Sequence, residues 1–306
     1  MSAPRVVVTG ATGLIGPQLV AELLAQGADV TVLTREPDRA RAKLGEVTAL
    51  AWDPMSEHAP VEALAGRDAV VHLAGAPVAQ RWSAEAKRAI RESRVTGTRN
   101  LLAGLAAVED AHRPRTLVSS SAIGYYGAHG EEPLDEDAPP GADFLAQVCV
   151  EWEAEAARAG SLGVRVVQVR TGIVLDAAGG ALGKMLTPFR LGVGGPVAGG
   201  RQYMSWIHAE DVVGMMLTAI EDERWSGPIN ATAPEPVTNA AFSHALGRAL
   251  HRPSLLPVPG FALRALYGEM AEIVTTGARA VPAKALVLGY EFRHAQLEPA
   301  LRAALS

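Results

Sequence analysis

The chain is poor in cysteine and in lysine, and each shortage limits the kinds of bond or site that it can contain. Its single cysteine, Cys149, excludes an intrachain disulfide framework and a multi-cysteine zinc site. Only four of its 28 basic residues are lysines, and the others are arginines. Long uncharged runs are also missing. The longest covers the 16 residues 6–21, whereas a membrane-spanning helix needs about 20 apolar residues. We therefore expect no disulfide and no membrane partner.

Composition and charge are those of an ordinary globular protein. Hydrophobic residues make up 48% and charged residues 20% of the chain, which argues against disorder. The net charge of −5 disfavours nucleic acid as a partner, because nucleic-acid-binding proteins present basic surfaces. No segment has the pattern of a cleavable signal peptide. The sequence thus predicts a cytoplasmic protein built as one large domain or two coupled ones.

Short β-branched runs alternate with helical patterns over the first 170 residues. The predicted strands are 5–9, 29–34, 48–52, 68–73, 115–119 and 164–169. The predicted helices between them are 37–43, 83–107 and 143–159. This alternation is typical of an α/β protein with a doubly wound parallel sheet, whose ligands bind at the carboxyl ends of the strands.

The alternation of strands and helices ends after about residue 170. Glycine and proline are concentrated in 192–200, and helical patterns follow at 210–220, 238–250, 261–267 and 296–305. We therefore predict a cofactor-binding domain over 1–170 and a substrate-side region over 171–306. The latter includes a smaller, mostly helical C-terminal part at about 254–302.

A glycine-rich turn directly follows the first predicted strand and opens a helix, with the spacing Gly-x-x-Gly-x-x-Gly. Glycines there allow a tight turn and close approach of the backbone to a pyrophosphate, and the amino end of the helix favours negative charge. The turn and its flanking strands predict a dinucleotide site in a Rossmann domain. Its predicted contacts are Gly10, Thr12, Gly13, Leu14, Ile15 and Gly16.

The end of the second predicted strand bears on which dinucleotide is bound. NAD sites place Asp or Glu about 20 residues past the glycines, where the carboxylate binds the ribose 2′-hydroxyl. Here the strand ends in Thr34-Arg35, and a basic residue accommodates the 2′-phosphate of NADP. We therefore predict that Thr34 and Arg35 favour NADP (NADPH) over NAD.

Two further loops are expected to lie beside the adenine and ribose of the cofactor. Asp53 follows the third strand, where it either accepts from the adenine amine or closes a turn before Pro54. Leu73, Ala74 and Gly75 follow the fourth strand, and their small side chains would let the backbone lie against the cofactor.

These motifs together resemble the extended branch of the short-chain dehydrogenase/reductase superfamily. The segments that match are 9–16, 72–75, 119–121, 170–175 and 206–211. Further segments, 80–82, 93–98, 143–153 and 230–239, are similar to one atypical subfamily, the epimerase family (NAD-dependent epimerase/dehydratase-like). Its members end in a small helical domain of unknown function, which residues 255–301 resemble. The resemblance covers essentially the whole chain and implies an NADP-binding Rossmann protein whose substrate is generally unassigned.

The catalytic pair of that superfamily is absent. Its members use a tyrosine and a lysine that follows it by four residues. The lysine lowers the pKa of the tyrosine, so that the phenol can exchange a proton during hydride transfer. None of the five tyrosines here has a lysine at that spacing. A serine is kept at the end of the fifth strand, with Ser119 and Ser120 predicted beside the cofactor. We predict Ser121 as a catalytic residue, with Ser120 as the alternative.

Tyr126 is the predicted replacement proton donor, and Tyr125 is the neighbouring candidate; for both, aromatic packing under the loop 127–141 is the alternative. Arg94 and Arg170 are predicted to contact the cofactor. The predicted substrate contacts are Arg81, Tyr125, Lys184 and Trp206.

Other side chains are predicted to be structural. Cys149 is expected to be a small buried hydrophobe, and Glu151 and Glu153 to lie on a helix surface or at a dimer contact. The eight histidines form no close pair of the kind zinc sites use, so no metal is expected.

Two functions agree with these features. The first is an NADP-dependent oxidoreductase or epimerase acting on a small polar substrate. The second is a sensor or regulator that keeps cofactor binding without chemistry. Extended members of the superfamily pair helices like 83–107 and 143–159 across a two-fold axis, so the resemblance also implies a homodimer.

Overall fold

Seven parallel strands form the central sheet of the chain, of which the computed structural model describes residues 3–306. In chain order the strands are β1 (Arg5–Thr9), β2 (Asp29–Thr34), β3 (Thr48–Ala51), β4 (Ala69–His72), β5 (Thr116–Ala122), β6 (Pro133–Leu134), β7 (Arg165–Thr171), β8 (Ile173–Leu175), β9 (Tyr203–Met204), β10 (Trp206–His208), β11 (Gly227–Ala231), β12 (Val237–Thr238) and β13 (Arg279–Ala280). The central sheet has the order β11-β7-β5-β4-β1-β2-β3.

Helices cover both faces of this sheet. They are α1 (Gly16–Ala25), α2 (Pro37–Leu44), α3 (Val61–Leu64), α4 (Ala84–Ala107), α5 (Phe144–Ala157), α6 (Gly180–Arg190), α7 (Ala209–Glu221), α8 (Asn239–Ala249), α9 (Gly260–Tyr267), α10 (Glu272–Thr275), α11 (Ala283–Val287) and α12 (Leu297–Leu305). The predicted α/β class and doubly wound Rossmann sheet are therefore confirmed.

The core is split into two layers by the sheet. Successive residues of a strand point to opposite faces. Val6 and Val8 of β1 accordingly pack with α1 and α7, while Val7 packs with α3 and α4. All three are fully buried, as expected for a parallel strand that is covered on both faces.

Local signals set several helix ends. Ser83 Oγ accepts the N–H of Ala86 at 3.1 Å and caps α4. Asp143 Oδ1 accepts the N–H of Ala146 at 2.9 Å and caps α5. The ends of both helices lie within two residues of their predicted positions. Helix α6 was missing from the prediction, because it begins among glycines and contains Pro188. Across residues 3–306, none of the helices is both long and apolar enough to cross a membrane.

The chain after residue 170 contributes to the central sheet as well as to the smaller helical part. Strand β11 lies beside β7, with Ile229 opposite Val169. A separate hydrophobic cluster joins α6, α8 and α12 around the buried Trp206 and Phe242. The division into 1–170 and 171–306 stays a prediction. One strand of the central sheet, β11, nevertheless lies in the second of these regions.

Candidate functional site

The glycine-rich turn lies at the carboxyl end of β1, against the chain that leaves β4. Gly10 has a φ of +67°, and a Cβ at that position would lie 2.6 Å from the carbonyl carbon of Leu73. A Cβ on Gly16 would lie 2.3 Å from the carbonyl oxygen of Ala11. Both positions therefore require glycine. Gly13 is exposed, and its N–H donates to the Gly10 carbonyl at 3.0 Å, which keeps the turn tight.

This turn fits a pyrophosphate. The backbone N–H groups of Leu14 and Ile15 have no acceptor within residues 3–306. They precede the first turn of α1, whose dipole favours an anion at the same place. The residues predicted to hold the cofactor phosphates thus lie together.

Arg35 follows β2 directly and is exposed. Within the described chain its guanidinium has neither a hydrogen bond nor an ion pair. Arg39 and Arg41, further along α2, are instead paired with Glu36 at 3.0 Å and with Asp38 at 2.6 Å. Arg35 is therefore available to a ligand anion at the end of β2.

Two other predicted adenosine contacts close local turns. Thr34 Oγ1 accepts the N–H of Glu36 at 3.2 Å. Asp53 Oδ1 accepts the N–H of Met55 at 3.0 Å, which is the turn role that the sequence left open. Contact of either residue with a cofactor stays a prediction.

A buried histidine fixes the end of β4. His72 Nδ1 lies 2.7 Å from Thr9 Oγ1, and its Nε2 lies 3.2 Å from Thr98 Oγ1 of α4. The Thr9 hydroxyl also accepts the N–H of Ala74 at 3.3 Å. Burial lowers the pKa of His72 to about 4, so the ring is neutral at neutral pH. Leu73, Ala74 and Gly75 are thereby held beside the glycine-rich turn.

Arg94 projects from α4 onto this loop. Its guanidinium would lie 3.3 Å from a Cβ on Gly75, and its Nη1 donates to the carbonyls of Ala76 and Ile90 at 3.1 and 3.0 Å. The other face stacks near the Trp152 ring. Burial lowers the pKa of Arg94, and no carboxylate pairs with it in residues 3–306. A half-buried guanidinium without a counter-ion is suited to an anionic ligand.

The three serines at the end of β5 differ in their environments. Ser119 is fully buried, and its hydroxyl donates to the carbonyl of Ser120 at 3.3 Å. Ser121 is 4% exposed and donates to Glu153 Oε1 at 2.6 Å. Ser120 is half-buried, and its hydroxyl has no partner in the part of the chain described. Of Ser121 and its alternative Ser120, only Ser120 thus has a free hydroxyl in this part of the chain, and the catalytic role predicted for Ser121 stays a prediction.

Arg170 and Glu153 form a buried ion pair behind that strand end. Arg170 Nε and Nη2 donate to the two carboxylate oxygens at 2.8 and 2.9 Å. Arg170 Nη1 donates to the Tyr126 hydroxyl at 3.0 Å, and that hydroxyl lies 2.7 Å from Asn230 Oδ1. Burial raises the pKa of Tyr126 to about 12, and its side chain is fully buried.

This network bears on several predictions. The polar atoms of Ser121, Tyr126 and Arg170 bind other groups inside the protein, and the catalytic and cofactor-binding roles predicted for these residues stay predictions. Glu153 was predicted on a helix surface or at a dimer contact, and this is wrong because the residue is 8% exposed in the single chain and is paired with Arg170. Cys149 is 4% exposed, as expected, and burial raises the pKa of its thiol to about 12.

Tyr125 lies in front of the same network. The Arg170 guanidinium carbon is 3.5 Å from the centre of its ring, and Tyr126 contacts it edge-on with centroids 5.3 Å apart. The ring is half-buried, and its hydroxyl has no hydrogen-bond partner within residues 3–306. Ser120 near the end of β5 and Tyr125 just after it therefore both have hydroxyls without a partner in the described chain.

The remaining residues that were predicted to contact a substrate lie in different environments. Arg81 is exposed, and its Nε would lie 3.9 Å from a Cβ on Gly268, so it borders the C-terminal part. Lys184 Nζ donates to the carbonyl of Ala79 at 2.8 Å and ties α6 to the loop that carries Arg81. Trp206 is fully buried and donates to the carbonyl of Glu235 at 3.2 Å. Trp206 thus lies inside the core, and its predicted contact with a substrate stays a prediction.

Folding also brings two distant histidines together, which sequence spacing did not predict. Ligand-type atoms of His208, Glu210 and His294 lie within 4.8 Å of one another. His208 Nδ1 accepts the N–H of Glu210 at 3.2 Å and caps α7, which places the proton of the neutral ring on Nε2. The two imidazole rings are stacked, with centroids 3.8 Å apart. This geometry fits the packing of the C-terminal segment onto α7 better than it fits ligands converging on an ion.

Comparison with known proteins decides the family. The model of the NAD dependent epimerase/dehydratase family matches residues 6–231. The chain belongs to this family. A domain of unknown function, DUF1731, matches residues 258–304, which agrees with the helical C-terminal part that the resemblance implied.

Relatives of this epimerase family match over nearly the whole chain. Epimerase family protein Mb2239 of Mycobacterium bovis is 45% identical over 98% of this chain and 97% of its own length. The chloroplastic SDR39U1 homolog of Arabidopsis thaliana is 41% identical over 99% of this chain and 87% of its own. The structure of human SDR39U1 (isoform 2) with NADPH has a TM-score of 0.88 at 33% identity and covers 99% of both chains. A UDP-galactose 4-epimerase structure, at 21% identity and a TM-score of 0.73, shares the fold.

Proposed function

We propose that this chain binds NADP(H) at the carboxyl edge of its sheet and uses it in an oxidoreductase or epimerase reaction on a small polar substrate. Arg35 carries the proposal. Its unpaired guanidinium follows β2, where dinucleotide-binding sheets meet the 2′ group of the adenosine ribose. The NADPH bound to the human relative of the same fold supports the choice.

The residues around the turn would hold the cofactor in three places. The turn from Gly10 to Gly16 presents backbone N–H groups to the pyrophosphate, and Arg35 meets the 2′-phosphate. Arg94 offers a second, half-buried cation beside Ala74 and Gly75. An anionic ligand would compensate the cost of holding the Arg94 charge away from water.

A bound nicotinamide supplies a hydride donor or acceptor. Ser120 would donate to a substrate oxygen, and Tyr125 would exchange a proton with it. A positioned acid or base of this kind contributes about 10²–10⁴-fold to a rate. Arg81 would orient polar or anionic parts of the substrate, and Lys184 would hold the loop that carries Arg81.

The second candidate is an NADP(H) sensor without turnover. It is favoured by one observation, namely that Tyr126 and Ser121, the two residues predicted to be catalytic, are fixed in a buried network. Incubation of the NADPH-loaded protein with carbonyls, quinones and nucleotide sugars separates the two functions. Oxidation of NADPH by a carbonyl or a quinone, or epimerisation of a nucleotide sugar by the NADP+-loaded protein, supports the enzyme if it is lost in Tyr125→Phe. Inertness across the panel supports the sensor.

We also propose that the protein is a cytoplasmic homodimer that pairs α4 and α5 across a two-fold axis. Arg91 of α4 and Glu151 of α5 form an exposed ion pair on this face. Light scattering at several concentrations measures the mass, and a monomer at all of them would contradict the dimer.

Arg35→Gln is expected to weaken NADPH binding by about 10- to 150-fold, because a hydrogen bond to a charged group contributes about 1.5–3 kcal/mol. NADH has no 2′-phosphate, so its dissociation constant should stay unchanged. Fluorescence titration of both cofactors measures the effect. Arg39→Gln is the matched control, since Arg39 is already paired with Glu36. Equal affinity of the wild type for NADH and NADPH would contradict the proposal.

A further inference from the structure

The acidic residues are unevenly distributed along the chain. Segments 177–209 and 236–268 contain no Asp or Glu, and together they carry six Lys or Arg residues. The rest of the chain holds 22 basic and all 33 acidic residues. These two segments therefore have a charge of +6 and the rest has −11, so the net charge of −5 conceals a cationic part of the molecule.

Folding brings the two acid-free segments together. The Arg252 Nε donates to the carbonyl of Arg190 at 3.0 Å. The N–H of Val258 donates to the carbonyl of Pro196 at 2.8 Å. The two stretches therefore run side by side up to the start of α9.

The surface formed by residues 190–193 and 251–264, here called the basic apolar face, exposes large apolar side chains. Five of them are between 52% and 78% exposed, namely Leu191, Val193, Leu255, Leu256 and Phe261. Helix α9 buries none of its residues, although an apolar helix is normally covered. A contiguous apolar surface of this kind marks a place where the protein contacts something else.

Arginines stand among these apolar side chains. Arg190, Arg252 and Arg264 are exposed, and no carboxylate within residues 3–306 forms an ion pair with any of them. Arg264 lies one turn after Phe261, on the same side of α9. The face thus combines apolar groups with positive charges that lack a partner in the described chain.

An open groove of about 600 Å³ borders this face. Its lining includes two histidines and two arginines, which are His244, His251, Arg248 and Arg252. The carboxylate near it, Glu298, is paired with Arg248. The groove therefore offers further cationic donors to an anionic group.

We propose that the basic apolar face binds the surface of an anionic phospholipid bilayer. The leucine, valine and phenylalanine side chains would enter the boundary between headgroups and acyl chains, while the arginines keep their charged ends at the lipid phosphates. The expectation of no membrane partner rested on the lack of a spanning segment, which binding at the surface does not need.

Charge and shape favour a bilayer over other occupants. A second copy that presented the same face would bring positive charges together. Of the five apolar side chains only Leu255 lines the groove. The others project outwards, which suits a bilayer better than a protein partner whose anchors fill pockets.

Sedimentation of the full chain with vesicles tests the proposal. Binding is expected to vesicles of equal parts phosphatidylglycerol and phosphatidylcholine, to weaken as salt is raised, and to be absent with phosphatidylcholine alone. Arg190→Gln combined with Arg252→Gln should weaken it about 30-fold, since each arginine near an anionic surface contributes roughly 5-fold. Phe261→Ser should weaken it about 10-fold through lost apolar burial.

Matched controls change the same chemistry outside the face. Val287→Ser removes an exposed apolar side chain from α11. Arg39→Gln combined with Arg88→Gln removes two positive charges from α2 and α4. Both should bind the anionic vesicles as the wild type does, and thermal melting checks that every variant is folded.

The outcomes separate cleanly. Selective loss in the face variants supports the inference. Weakening in the arginine variant with unchanged binding of Phe261→Ser overturns it, since the protein would then only adsorb by charge. Equal loss in the control variants also overturns it. Failure of the wild type to bind the anionic vesicles overturns it as well and leaves the face to an acidic protein partner, while the proposed function, tested by cofactor titration, still stands.

Discussion

Glu153→Ala should lower the free energy of unfolding by about 3–5 kcal/mol, since it leaves the charge of Arg170 buried without its partner. The two side chains are 10% and 3% exposed, so water cannot replace the lost carboxylate. Ser121 loses its acceptor in the same variant. Urea denaturation followed by circular dichroism measures the difference.

Glu151→Ala provides a control on the same helix. Glu151 pairs with Arg91, and both side chains are substantially exposed, so its loss should cost less than about 1 kcal/mol. A double variant, Glu153→Leu with Arg170→Met, should recover much of the stability lost in Glu153→Ala, because it removes both charges. Equal costs for Glu153→Ala and Glu151→Ala would contradict the buried pair.

The same ion pair links stability to the candidate site. Arg170 covers the ring of Tyr125 on one side and is held by Glu153 on the other. The ring of Tyr125 is thus held after β5 against a cation that is itself paired with Glu153. This arrangement differs from the usual dyad of the superfamily, in which the lysine follows the tyrosine on one helix.

The fold followed from the sequence because its signals are local. Short apolar runs such as 6–8 and 69–71 favour buried parallel strands, and the glycines at 10, 13 and 16 mark the turn between β1 and α1. The unpaired state of Arg35 could be anticipated only in part, since the sequence shows the arginine but not which of its neighbours are paired.

The polar pairs within the site depend on tertiary contacts and escaped prediction. Glu153 and Arg170 are 17 residues apart on different elements, and Lys43, whose Nζ donates to the carbonyl of Thr12 in the glycine-rich turn, is 31 residues from it. One signal was available. Arg170 directly follows the predicted buried strand 164–169, and a charge there requires a partner. The helix that packs on this strand carries the carboxylate, but its periodicity alone did not show which glutamate faces inward.

The stability of the protein should fall as the pH is lowered from 6.5 to 4, and His72 should supply about 3 kcal/mol of that loss. The folded protein holds this imidazole neutral, with a pKa of about 4, while the unfolded chain takes up a proton near 6.5. Below pH 6.5 the unfolded state therefore binds the additional proton, and each pH unit costs the folded state about 1.4 kcal/mol. Above pH 6.5 the contribution is constant.

His72→Gln isolates this term from the carboxylates that titrate in the same range. The variant should be less stable than the wild type at pH 7, because Thr9 and Thr98 lose their partner. Its stability should nevertheless decline less steeply between pH 6.5 and 4, so that the two curves converge by about 1.4 kcal/mol per pH unit. Thr98→Val is the matched control, since it removes one hydrogen bond but keeps the buried imidazole, and it should retain the wild-type slope. Parallel curves for wild type and His72→Gln would contradict the prediction, because they would mean that His72 takes up its proton in the folded state as readily as in the unfolded state. The hydrogen bonds that hold Ala74 beside the glycine-rich turn would then have to differ from those described.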